Sequence, residues 1–443
     1  MPNRLAAWML LTLTCPALGW AANPVPDSRL EIPSSFNPVG SGARALGMGG
    51  AFIPVADDAT AASWNPGGLV QLEKPEISIV GAGLWRTEDN HFALRPEGSH
   101  QGDVNATRLN YLSASYPFKA LDRNMILSLN YQNLFEFDRD WKFPLHTASG
   151  ALDTTDQHHY TQDGALYALG LAYAVQITPA FSVGATLNLW DDWFQDNGWQ
   201  QRYRIDGAGT LGGQSFLLHR DKTEDYAFRG RNANLGFLWQ LTSQWTLGGV
   251  IKTPFDADIR HRITESYQVQ FPEQSGFDVT TDPTTSRQDE TLRMPLAYGL
   301  GLAYRHNDRL SFAVDLYRTE WSQFSLTGAD GVKRSPLSGH PLSDTRLDDT
   351  LWVRAGVEYL TITDNYVIPL RAGLFYDPAP ADGGHDDFYG LSLGTGLGYQ
   401  RFIFDLAYQY RWGNHVGTAS LPQVGLSQDI SEHRLYASLI VHF

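Results

Sequence analysis

Cysteine is almost absent: Cys15 is the single one among 443 residues. It lies in an N-terminal stretch that reads as a signal peptide, so the remainder is expected to have no disulfide, thiol nucleophile or Cys-ligated metal. Beyond that stretch no apolar run reaches the roughly eighteen residues a membrane-crossing helix needs. Helical periodicity is also nearly missing, which argues against the two or three helix-containing domains usual in a soluble chain of this length. Methionine is sparse at five residues, and charged residues make up only 18%. The net charge of -15 disfavours nucleic acid as a partner. It suits acidic outer loops holding divalent cations near lipopolysaccharide, and equally suits plain solubility.

The N-terminus carries Arg4, then an apolar stretch from Leu5 to Leu18, then Gly19-Trp20-Ala21 with small residues at the positions a signal peptidase reads. Cleavage after Ala21 is expected, removing residues 1–21. Thr14 is larger than a lipoprotein signal requires before Cys15, which weighs against lipidation.

What is present is alternation with period two. Leu435, Ala437, Leu439, Val441 and Phe443 share one strand face, and Phe402, Phe404, Leu406, Tyr408, Tyr410 and Trp412 share another. Opposite the second set stand Arg401, Asp405, Gln409 and Arg411. Leu351 to Tyr359 and Phe181 to Leu189 repeat the pattern. An apolar outer face and a polar inner face are what a wall between lipid and a wet lumen requires.

Strands are predicted at 75–86, 107–117, 124–136, 164–176, 180–193, 224–241, 244–257, 290–306, 309–321, 349–361, 366–377, 387–399, 401–412 and 432–443. The connections between them alternate strictly between short and long, the long ones reading as polar loops. That asymmetry predicts an all-β, transmembrane antiparallel barrel of about fourteen strands over 75–443, with short periplasmic turns, long outer loops and both termini in the periplasm. The expected location is the outer membrane of a Gram-negative bacterium, among its lipid and lipopolysaccharide. A terminal Phe443 on an alternating strand resembles the signal read by the outer-membrane assembly machinery. A monomer is expected.

Residues 22–74 do not read as wall. They contain Gly42-Ala43-Arg44-Ala45-Leu46-Gly47-Met48-Gly49-Gly50-Ala51, Ala56-Asp57-Asp58-Ala59 and Asn65-Pro66-Gly67-Gly68-Leu69. Small residues at this density permit close backbone packing, so the segment is expected to fold back as a hatch plugging the lumen. With Asp315-Leu316-Tyr317-Arg318-Thr319-Glu320-Trp321-Ser322, Val353-Arg354-Ala355-Gly356 and Leu370-Arg371-Ala372-Gly373-Leu374-Phe375-Tyr376-Asp377, these blocks resemble the long-chain fatty acid transporter (FadL) family of outer-membrane proteins. The resemblance implies a fourteen-stranded barrel, an N-terminal hatch, apolar ligand pockets and lateral exit at a kinked third strand. The family's hatch motif is Asn-Pro-Ala; here it reads Asn65-Pro66-Gly67.

Candidate site residues follow. Asn65, Pro66 and Gly67 are the hatch motif or a plain turn. Asp57 and Asp58 either cap a short hatch helix or pair with a wall arginine. Asn130, Gln132 and Asn133 are polar enough to line a lateral gap, as ordinary lumen-facing residues also are. Arg354, Arg371 and Arg401 are placed in the lumen, where they attract a ligand carboxylate or pair with Glu358, Asp405 and Asp315. Trp141 and Phe143, deep in an outer loop, and Trp193, Phe194 and Trp199 are candidates for apolar capture or for an aromatic girdle.

No metal site and no cofactor are expected. His158-His159 is placed solvated in a loop. Gly390-Leu391-Ser392-Leu393-Gly394 has a nucleophile-elbow spacing but falls inside a strand, and Gly40-Ser41-Gly42 lacks the preceding strand of a dinucleotide loop.

The function expected is passive uptake of hydrophobic compounds, long-chain fatty acids or aromatic hydrocarbons. The steps are capture at external loops, hatch movement and lateral release through the wall. The alternatives are a non-transporting scaffold or secretion-associated barrel, and an outer-membrane phospholipase. The second would need a Ser–His pair that the sequence does not assemble, so no enzyme is expected.

Overall fold

A computed structural model of the chain describes residues 40–193, 195–418, 421 and 423–443. The expected signal peptide with Cys15, the first part of the 22–74 segment and Phe194 lie outside the described residues.

Fourteen strands close into one antiparallel barrel. In chain order they are β1 (Glu76–Phe92), β2 (His100–Ala120), β3 (Arg123–Glu136), β4 (Leu152–Thr178), β5 (Phe181–Trp190), β6 (Gln214–Gln240) and β7 (Trp245–Lys252). β8 (Ala297–Arg305), β9 (Leu310–Thr319), β10 (Thr350–Ile362), β11 (Tyr366–Tyr376), β12 (Tyr389–Tyr399), β13 (Phe402–Val416) and β14 (Leu426–His442) complete the wall. β1 pairs with β2 on one side and with β14 on the other, from Glu76↔His442 to Phe92↔Leu426. The Phe443 N–H donates to the Pro75 carbonyl at 3.0 Å, so the chain's end is tied to the start of the wall. Closure satisfies the backbone without an open edge, as a lipid environment demands.

Alternation sorts the side chains. On β14, Glu432, Arg434, Ser438 and Ile440 are buried while Leu435 and Leu439 stand outside. Leu129, Leu300, Leu374 and Leu393 are each more than half exposed. A continuous apolar belt of this kind is covered by lipid, not water. Tyr116, Trp239, Trp245, Tyr366 and Tyr399 are exposed near the short-turn end, where an aromatic girdle meets the interface. One of those turns, Leu121-Asp122, has φ of 54° and 57°, the left-handed pair that a tight two-residue hairpin uses.

The other end corrects the sequence reading. The stretches read there as long polar loops are largely strands. Arg139–Ser149, Gly198–Leu211, Phe255–Gln270 and Val279–Met294 pair with one another or with the outer halves of β4 and β6, which run 27 residues each. With two short strands at Ser325–Thr327 and Lys333–Arg334 they extend the wall into a 20-stranded sheet. Outside the bilayer one face meets water, so the alternation there is polar against aromatic, and it was missed because lipid-facing aliphatics are lacking.

The lumen is filled by the segment from Gly40 to Leu72. It holds α1 (Ala43–Gly47), the single turn α2 (Ala61–Trp64) and a 3-10 helix at Pro66–Gln71. Ala45, Ala51, Phe52, Ile53, Ala56, Ala59, Ala61, Ala62 and Trp64 have no solvent exposure. Small wall residues make this fit possible. Gly49 is in the left-handed region (φ 69°) with its backbone against Gly373, where a Cβ would overlap Met48 and Gly49.

Candidate functional site

Hydrogen bonds as well as packing hold the hatch. Asn65 precedes Pro66, which starts the 3-10 helix with its φ already set. The Asn65 side chain accepts from Gly67 N–H at 3.1 Å and donates to the carbonyls of Ile53 (2.9 Å) and Phe237 (2.8 Å). One amide thus ties a turn, a second hatch segment and β6 together. Asp315, on β9, accepts the N–H groups of Phe52 (2.7 Å) and Ile53 (2.8 Å). Wall hydroxyls reach hatch carbonyls: Tyr111 to Ala59 at 2.6 Å, Ser182 to Gly67 at 2.7 Å and Thr186 to Ala62 at 2.8 Å. Beneath the hatch, toward the short turns, lies a cavity of about 930 Å³ bordered by Arg44, Asp57, Gln71 and Glu73.

Asp57 pairs with Arg44 of the hatch itself, not with a wall arginine, which corrects the expectation for it. Asp58 neither caps a helix nor meets a wall arginine. It accepts from Thr60 N–H (2.8 Å) and Thr60 Oγ1 (2.5 Å), closing a local turn. Burial pushes the Asp58 carboxyl up to about 7; Arg44 opposes this, Glu76 and Asp57 add to it, and Thr60 opposes it.

Arg371 lies between Glu358 and Asp405, 2.6 Å from each. Glu358 also receives both the Nε and Nη2 of Arg44 (3.1 and 3.0 Å), which joins hatch to wall. Arg354 pairs with Asp377 at 3.2 Å and donates to the Gly49 carbonyl at 3.4 Å. Arg354 therefore holds the plug directly, and Arg371 positions the Glu358 that binds Arg44 of the plug. Arg401 is a correction: it sits exposed in the turn before β13, its guanidinium over the Phe402 ring, away from the lumen. Positive φ at the preceding Gln400 makes a turn where the periodicity suggested strand.

Trp141 and Phe143 belong to the strand Arg139–Ser149 and are buried on the inner face of the outer sheet. The Trp141 indole donates to Glu88 at 2.6 Å under the Arg139 guanidinium. Phe143 is stacked between His100 (4.9 Å) and His158 (5.2 Å). His158, placed in solvent by the sequence, is 2% exposed and serves as an aromatic platform for Phe143. Trp199 stacks on Tyr226 at 4.5 Å, whereas Trp193 is exposed.

The wall itself is interrupted beside β3. Main-chain pairing of β2 with β3 runs from Ala120↔Arg123 to Tyr111↔Gln132 and stops there. Each strand carries a one-residue bulge at that height: Asn110 on β2, facing the Val80/Gly81 step of β1, and Leu134 on β3, facing the Tyr167/Leu166 step of β4. Bulges bend and twist the strands that hold them. From Asn130 to Glu136 every β3 residue is buried, so the alternation of an ordinary wall strand is lost.

Of the three amides proposed for a gap, Asn133 lies at the break: its carbonyl receives the Asn110 side chain at 3.5 Å and its own amide donates to Glu136 at 2.8 Å. Asn130 and Gln132 lie in the lumen below it, joined at 3.0 Å, with Gln132 donating to Asn188 at 3.0 Å. Behind the break a small cavity of about 60 Å³ is lined by Leu134, Phe135, Trp190, Phe255, Met294 and Lys252, among others. Asn110 and Lys252 were not singled out from sequence, since an Asn or Lys in an alternating strand looks like any lumenal residue.

A profile of the family described as "Outer membrane protein transport protein (OMPP1/FadL/TodX)" matches residues 36–428. Among solved structures, the Pseudomonas putida toluene transporter TodX is 15% identical with a TM-score of 0.58, covering 92% of this chain and 99% of its own. A Pseudomonas aeruginosa FadL homologue is 15% identical with a TM-score of 0.56, over 94% and 99%. The CymD monoaromatic hydrocarbon channel is 16% identical with a TM-score of 0.54, over 92% and 99%. A search of curated proteins returned no match.

Proposed function

Because this chain belongs to the FadL/TodX family of outer-membrane transport proteins, whose members carry hydrophobic compounds across that membrane, we propose that it works as a passive channel with a sideways exit, and not as an enzyme. The observation that carries this reading is the interruption of the β2–β3 ladder above a hatch that fills the lumen. A hydrophobic molecule gains nothing by release into water beneath the plug, and its apolar surface favours the bilayer. The break in the wall beside β3 supplies that path.

Capture takes place at the aromatic inner face of the outer sheet, where Trp141, Phe143 and Tyr160 form one buried cluster and Trp199 and Tyr226 belong to another. From there the cargo passes behind β3, where the cavity of about 60 Å³ must be enlarged by a local shift of the hatch, and leaves through the break. The short-turn end faces the periplasm and the outer sheet faces the medium, so both termini are periplasmic. The cargo is a long-chain fatty acid or an aromatic hydrocarbon. TodX and CymD, described as a toluene transporter and a monoaromatic hydrocarbon channel, support the second class as much as the family name supports the first.

Uptake of labelled oleate and toluene by cells with and without the gene tests this. Loss of uptake of at least one compound on deletion is expected; unchanged uptake of both overturns the proposal. Asn65→Ala in the same assay is expected to lower uptake while the barrel still assembles, checked by its altered gel mobility on heating.

A further inference from the structure

Where the main-chain ladder between β2 and β3 stops, side chains take over. Arg108, on β2 just above the Asn110 bulge, reaches across the break. Its Nη2 is 2.6 Å from Asp138 Oδ1 and 3.2 Å from Asp163 Oδ1, and its Nε is 3.7 Å from Glu136 Oε1. Arg86 of β1 donates to the Asp138 carbonyl and pairs with Glu88 at 2.8 Å. Glu88 in turn receives Arg139 at 3.2 Å and the Trp141 indole at 2.6 Å. The continuation of β3, residues 136–141, is thus fastened to β1 and β2 by charged and polar side chains. Among the described residues no main-chain pair joins β2 to it.

We propose that Arg108 is the latch of this break: pairing with Glu136 and Asp138 holds the gap shut, and release of that contact widens it for cargo. The proposal rests on the sideways-exit reading above. Its physical basis is a difference in what must be broken. A β ladder parts only when consecutive main-chain bonds are lost together, leaving unsatisfied groups beside lipid. A single arginine on a flexible stem moves away by changing rotamers, and keeps partners as it goes. Here it has an alternative at hand. Asp138 and Glu136 are largely buried, while the side chain of Asp163 is 83% exposed. Arg108 can swing from the inner carboxylates toward Asp163 without losing a counter-charge. The side chain touches the inner and outer carboxylates at once, so release of the inner ones leaves the Asp163 contact in place, and the bulges at Asn110 and Leu134 bend the two strands where they stop pairing with each other.

The test uses the full-length protein in liposomes. With no other thiol in the mature chain, Asn110→Cys with Asn133→Cys places one pair across the break. The rate at which the pair oxidises reads how closely the edges stay together, and uptake of labelled oleate and toluene before and after oxidation reads the route. In the Arg108→Gln background, the folded fraction is expected to oxidise at least three-fold more slowly and to take up cargo faster. Arg108→Lys is expected to fall between, and the exchange Arg108→Asp with Asp138→Arg to restore the parent rate.

If Arg108→Gln and Arg108→Lys both oxidise at the parent rate, the latch is wrong, while loss of uptake on oxidation would still uphold the exit. If oxidation leaves uptake intact, the sideways exit falls and the latch with it.

Discussion

At the residue scale, the hatch holds a largely buried carboxylate. Asp58 faces Arg44 and Asp57 of the hatch and Glu76 of β1, itself 3.3 Å from His442. Its folded value of about 7 lies above the ordinary 3.8 because burial disfavours the charge. The folded state therefore keeps a proton that the unfolded state has released, so this group's contribution falls as pH rises from about 4 to about 7 and is level above. Asp58→Asn keeps the acceptor for Thr60 and removes the buried charge. It is expected to stabilise the protein at pH 8, by on the order of 2–4 kcal/mol, and to change little at pH 4. Thermal unfolding in detergent at the two pH values checks this. A stabilisation of equal size at both would show that packing, not charge, is responsible.

At the element scale, the glycine-lined wall and the small-residue hatch form one interface. Gly373→Val would drive a branched side chain into the backbone of Met48 and Gly49. β-Branched residues suit strands, so β11 is expected to form and the hatch to be displaced. Single-channel conductance should rise from near closed to that of an open pore, with assembly retained. A closed channel would mean the hatch can repack around the added atoms.

This is also the scale at which sequence and structure part. Strand number and the inward and outward faces of β5, β10, β13 and β14 were legible, since lipid on one side and a polar lumen on the other impose a strict period of two. The density of Gly and Ala around Arg44 and Met48 marked the plug for a different reason, since small residues let backbone pack closely. The outer strands were not legible, because their exposed face is polar and resembles loop. Nor was the placement of Arg401, where one residue of turn shifts a side chain out of the periodic series. The break at β3 left almost no trace in the residues: Asn110 and Asn133 look like lumen residues until register shows that β2 and β3 stop pairing with each other below them.

At the scale of the molecule, the first and last strands close the barrel, and the C-terminal residue lies on that seam. Phe443 is 64% exposed, and its N–H, not its ring, makes the bond to Pro75. Phe443→Ala is therefore expected to leave the melting temperature of the folded barrel unchanged while lowering the amount inserted in cells several-fold. Comparing membrane yield with thermal stability of the purified protein separates the two. Equal loss in both would make the ring structural and remove the reading of it as an assembly signal.

β4 and β6 each run unbroken for 27 residues. At about 3.3 Å per residue such a strand is roughly 90 Å long, against an apolar band about 25 Å tall. Even when tilted, it carries the aromatic mouth well past the lipid headgroups. In the orientation we propose, a wall of this height lets cargo bypass the sugar coat that repels oily molecules.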